Sequence, residues 1–210
     1  MKSLVTIFCC TLFFGASQTL HAQDSADNSI ALTINIQEDF TDTNSEVKKF
    51  SKNTDSVPDF RLKEQKIKIV GTIFKSDGIT PANNVTLSIS QPDEDGYYSI
   101  QKEKDKRHIY HSASITTDVD GTYTFYTFIP GTVHRSGHVK SIRPVIKEEG
   151  KEAYELNAFY FDNDPLLTKY RVKRLTKKGL DRSILKLEKK EDMFVANKDI
   201  ILGKDLLDCK

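Results

Sequence analysis

The sequence predicts an all-β protein built as an antiparallel β-sandwich, and three observations predict it. Short segments of alternating apolar and polar residues recur from about residue 66 onward. Turn-forming Gly, Pro and Asp residues punctuate them. One stretch alone, residues 164–180, has the length and composition to hold a helix. Many short strands with little helix is the pattern of two sheets packed face to face.

Taken in chain order, the first core strand places Ile67, Ile69, Gly71 and Ile73 on one face, at the two-residue period of a strand. Ser76-Asp77-Gly78 then turns the chain. Val85, Leu87 and Ile89 form the next apolar face, with Thr86 and Ser88 opposite, and Asp95-Gly96 marks the following turn. Tyr123 and Phe125 alternate with Thr122 and Thr124. Ahead of them Asp120-Gly121 reads as a hairpin turn, because Gly supplies the positive φ such turns need. Pro130-Gly131 ends that strand, and residues 185–187, 193–195 and 200–202 give three more short candidates. Within residues 164–180, Lys169, Arg171, Lys173, Arg174, Lys177 and Lys178 do not read as one stripe, which predicts a solvated charged face.

The N-terminal part has a different character. Lys2 precedes an apolar run over residues 4–15, and Leu20-His21-Ala22 reads as a small-residue cleavage site. Residues 1–22 are therefore expected to be a signal peptide, with the mature protein secreted or periplasmic. The run is shorter than the roughly 20 residues a span requires, so no membrane span is expected after cleavage. Residues 23–65 are polar and uneven, an arm and linker with one candidate strand at residues 30–36; residues 205–210 form a tail. Of the 3 cysteines, Cys9 and Cys10 leave with the signal and Cys209 has no internal partner. The chain carries 31 Lys+Arg and 30 Asp+Glu, a balance that gives no grounds for a nucleic-acid partner.

Outside the signal, every histidine falls between residues 108 and 138, at His108, His111, His134 and His138, with Tyr97, Tyr98 and Tyr110 close in sequence. Phenolate and imidazole both ligate iron well, although no tight metal-ligand spacing is present. Asp118-x-Asp120-Gly121 has the start of a calcium loop without the downstream carboxylates.

The order of the motifs carries more. Gly71-Thr72-Ile73 is followed by Asp77-Gly78-x-x-Pro81, then by Val85-x-Leu87-x-Ile89-Ser90-Gln91-Pro92-Asp93-x-x-Gly96-x-Tyr98. Next come Thr117-Asp118-x-Asp120-Gly121-x-Tyr123-x-Phe125-x-Thr127-x-Ile129-Pro130-Gly131, Arg135-x-x-His138, and Tyr160-Phe161-Asp162-Asn163-Asp164-Pro165. This succession, over roughly residues 60–204, resembles the intradiol ring-cleavage dioxygenases, which implies a transthyretin-like β-sandwich over residues 66–204.

The resemblance also implies a chemistry. The family opens a small aromatic diol with O2 at a ferric iron, Fe(3+), held by two tyrosinates and two histidines. The first tyrosine falls on Tyr98 and the second on Val133. The paired histidines read here as His138 and Lys140. The family's charge-stabilising arginine matches Arg135, the glutamine that lies behind its iron ligands falls on Ala158, and its tryptophan on Ser90. Two of the four ligands are thus replaced. A shift of the loop would bring His134 in beside Tyr98 and His138. Three readings follow: a divergent intradiol dioxygenase, a binding module that keeps the sandwich without the metal, and a surface-interaction protein whose N-terminal segment adds a strand to a partner.

Overall fold

The structure is a computed structural model that describes residues 52–103 and 106–206. The expected signal peptide, the candidate strand at residues 30–36 and Cys209 lie outside the described residues. In chain order the strands are β1 (Thr54–Ser56), β2 (Lys66–Phe74), β3 (Thr86–Ser90), β4 (Ile100–Glu103), β5 (Lys106–Ile109), β6 (Ser112–Thr116), β7 (Thr122–Phe128), β8 (Ser141–Lys147), β9 (Tyr154–Glu155), β10 (Phe159–Phe161), β11 (Ile184–Leu185), β12 (Glu188–Lys190), β13 (Met193–Asn197) and β14 (Ile200–Ile201). The helix α1 spans Lys169–Lys177, inside the stretch expected to hold it.

Two sheets form, each 6-stranded. The first runs β1-β7-β2-β13-β12, with β14 also on β2; the second runs β11-β10-β8-β3-β6, with β9 on β8. A separate hairpin, β4-β5, stands off the second sheet's connection between β3 and β6. The alternation read from the sequence is what the sandwich buries. Ile67, Ile69 and Ile73 of β2, with Tyr123 and Phe125 of β7, face Leu87 and Ile89 of β3 and Ile142 and Ile146 of β8 in one continuous core. Each such fully buried aliphatic side chain contributes on the order of 1.5–3 kcal/mol.

Two expectations need correction. The sheets are mixed rather than antiparallel: β1 runs parallel to β7, β13 and β14 run parallel to β2, and β11 runs parallel to β10. Alternation has the same period in either direction, so it reports which face is buried and is silent about the neighbour's direction. The turn at Asp120-Gly121 is also no hairpin, because β6 and β7 belong to different sheets. Gly121 does take a positive φ of 64°, and its N–H donates to the Asp118 carbonyl (3.0 Å), but the turn carries the chain across the sandwich. The first sheet, moreover, begins at Thr54, ahead of Lys66 and inside the segment read as arm and linker.

Candidate functional site

Two loops at one end of the sandwich meet backbone to backbone, and glycine permits it. A Cβ on Gly131 would lie 1.8 Å from the Glu94 carbonyl oxygen, and one on Gly96 would lie 2.3 Å from the Val133 nitrogen. No other residue fits at such contacts. The first loop, between β3 and β4, is tightly bonded. Asp93 Oδ1 accepts the N–H groups of Asp95 (3.0 Å) and Tyr97 (2.8 Å), and the Asp93 carbonyl accepts Gly131 N–H (2.8 Å). Beneath it, fully buried Gln91 donates from Nε2 to the Phe128 carbonyl (3.0 Å) and accepts the Thr127 hydroxyl (2.6 Å). This ties the end of β3 to the end of β7. The sequence motif includes Gln91 without giving it a role; a polar residue continuing the buried face of Val85, Leu87 and Ile89 is the signal for one.

The second loop joins β7 to β8 and turns sharply between Val133 and His138. Ser136 N–H donates to the Val133 carbonyl (3.0 Å), and His138 N–H to Ser136 Oγ (3.3 Å). Arg135 is left-handed at φ 60° and Gly137 at φ 67°. Lys140 N–H is held by Asp164 Oδ2 at 2.7 Å.

Between the loops lies a cleft of about 180 Å³. Tyr98, Val133, Ser136 and His138 line it, together with Thr132 and Ser141. His134, Arg135 and Lys140 do not line it, and both His134 and Arg135 are exposed. Burial raises the Tyr98 phenol above its ordinary value, opposed in part by the Arg143 guanidinium beside it. Arg143 in turn bonds Glu155 at 2.7 Å. The cleft thus presents one phenol and one imidazole, with hydroxyls and an aliphatic wall around them.

The remaining histidines do not join them. His108 is exposed on β5. His111 is buried under the first loop, 5.0 Å from the Phe128 ring in an edge contact, and neither ring nitrogen has a hydrogen-bond partner. Among the described residues no group of three His, Cys, Asp or Glu side chains is placed to hold a metal ion. No described helix is long and apolar enough to cross a membrane.

No family model and no curated sequence matches the chain. Solved structures do. The dioxygenase domain of a dioxygenase carbohydrate-binding protein fusion from Streptomyces sp. SirexAA-E superposes with a TM-score of 0.52 at 19% identity, over 69% of this chain and 82% of that one. The 3-chlorocatechol 1,2-dioxygenase of Rhodococcus opacus gives 0.52 at 17%, over 72% of this chain and 65% of that one. An intradiol ring-cleavage dioxygenase from Tetranychus urticae gives 0.51 at 18%, over 66% and 81%. This is an intradiol dioxygenase-like fold. Within the intradiol dioxygenase-like fold of this chain, the cleft sits where the β3–β4 and β7–β8 loops converge, and the glycine contacts between those loops bring Tyr98 and His138 to one cleft.

Proposed function

We propose that this chain is an exported protein of intradiol dioxygenase-like fold whose cleft receives a single-ring aromatic diol without a complete ferric centre. One observation carries the reading: Tyr98 and His138 share the cleft while aliphatic Val133 stands on its wall where the resemblance calls for a second tyrosinate. A phenol and an imidazole are two strong donors, and hydroxyls such as Ser136 add little to a hard cation in water. That set does not fit Fe(3+) held by four protein ligands, since strong sites use three or four protein donors. The cleft's size suits the ring itself. About 180 Å³ is close to the roughly 150 Å³ of an apolar cavity that accepts benzene. The Tyr98 hydroxyl is a donor for a diol oxygen, and the aliphatic face of Val133 packs against the ring.

The test uses the mature protein, expected to begin at Gln23 by mass spectrometry after export. Substoichiometric iron, no red charge-transfer band and saturable catechol binding without ring opening are the expected results. Stoichiometric iron with cleavage of catechol would refute the reading. In that case His134→Ala is informative, because retained iron removes His134 as a ligand. Val133→Tyr, which places a second phenol at a position that lines the cleft, should make a three-donor set with Tyr98 and His138 and raise iron affinity by orders of magnitude.

A further inference from the structure

A second cavity, of about 380 Å³, lies between α1 and the sandwich, within the size range of small-molecule sites. Arg171, Arg174, Leu175 and Lys178 line it at helical spacing of three, four and seven residues, so three cations and a leucine share one face. Five of the six basic residues of this stretch are exposed, as the sequence predicts, and three of the six border the cavity. Val139 and Leu180 supply further apolar lining. No acidic residue lines the cavity, and none of the three cations forms an ion pair among the described residues.

Helix stability accounts for part of the cluster: Arg174 in the last turn and Lys178 at the C-terminal cap complement the helix dipole. Arg171 sits in the first turn, where a cation is opposed and where α1 has no acidic residue. Its guanidinium instead reaches across the cavity to donate to the Gly137 carbonyl at 3.1 Å, with further N–H donors left over. Like charges gathered beside an apolar wall, without a counter-charge, suit an anion that brings its own apolar body.

We propose that this cavity binds an organic monocarboxylate with an aryl or alkyl body. The carboxylate meets the Arg171–Arg174–Lys178 face, and the body packs on Val139, Leu175 and Leu180. This is a site distinct from the diol cleft, with which it shares only His138 and Val139 as walls.

Calorimetric titration of the mature protein with 3-phenylpropionate tests it. Saturable binding is expected, with the neutral 3-phenylpropanol at least about tenfold weaker because the charge-assisted hydrogen bonds are lost. Acetate and inorganic phosphate, which lack the apolar body, should also bind more weakly. Arg174 and Lys178 are exposed, so Arg174→Gln and Lys178→Gln should fold normally and each weaken 3-phenylpropionate about tenfold. Tyr98→Phe, which alters the diol cleft alone, should leave that affinity unchanged while it weakens catechol. The proposal is overturned by no saturable 3-phenylpropionate binding, by equal affinity in both Gln variants, or by phosphate binding as tightly as the aryl acid.

Discussion

The two loops that form the cleft are built on different terms. The loop carrying Tyr98 is anchored through Asp93, which gathers backbone donors from its own turn and from Gly131, and it rests on the buried Gln91. The loop carrying Val133 and His138 is anchored at its start by Gly131 and near its end by Asp164, and between them Val133, Ser136 and His138 line the cleft while His134 and Arg135 are exposed beside it. The difference separates what the fold requires from what the site requires. Backbone packing between the loops constrains Gly96 and Gly131 severely, whereas the exposed turn leaves His134 and Arg135 free to change without loss of the sandwich.

That contrast can be broken by substitution. The largest effect is expected at Gly131→Ala, where the new methyl would collide with a main-chain carbonyl that has nowhere to move. A loss of about 3 kcal/mol or more in chemical denaturation is expected, and a loss below 1 kcal/mol would mean the loops are not locked. Gln91→Leu should cost about 2 kcal/mol, because the Phe128 carbonyl and the Thr127 hydroxyl would stay buried without their partner. A smaller effect depends on pH. Burial, aided by the Lys63 cation, lowers the His111 pKa, so folding favours its neutral form. The associated stability is intact above the ordinary histidine value of about 6.5 and drains as pH falls toward the depressed folded value. Melting curves should therefore steepen their decline below about pH 6.5, and His111→Phe, which keeps the ring contact with Phe128, should flatten that decline. The smallest effect belongs to the outer turn: Arg135→Gly relieves a left-handed residue and should change stability by no more than about 1 kcal/mol. A large loss there would show that the outer loop is anchored as firmly as the inner one.

How much of this was legible in the sequence depends on how each signal is written. Strands β2, β3 and β7 were legible because one face of each is buried, and burial leaves the two-residue period. Strand β8 was not read: its core face is Ile142, Pro144 and Ile146, and a proline inside a run argues against a strand. The parallel pairing of β13 with β2 has no local signature, because it depends on a long return of the chain. At the site, Tyr98 and His138 were placed on two loops by motif order, and the structure brings them to one cleft. That Arg171, Arg174 and Lys178 border one cavity was not legible, because six basic residues surround the helix and their spacing alone does not say which lie beside the Gly137–Val139 loop.

One small element has a consequence out of proportion to its length. β1 lies on the outer side of β7, with Thr124 N–H donating to the Asn53 carbonyl (2.8 Å) and Val57 N–H to that of Tyr126 (3.0 Å). The same segment reaches the opposite sheet, where Thr116 N–H donates to the Lys52 carbonyl (3.0 Å) and Ser114 N–H to Asp55 Oδ2 (2.8 Å). It is a clasp over the open flank of the sandwich. A protease nick that released it would bare the amides of β7 as a template for another molecule's strand, and natural sheets avoid offering such templates because they polymerise. Those few residues thus guard the backbone edge of β7 against strand addition.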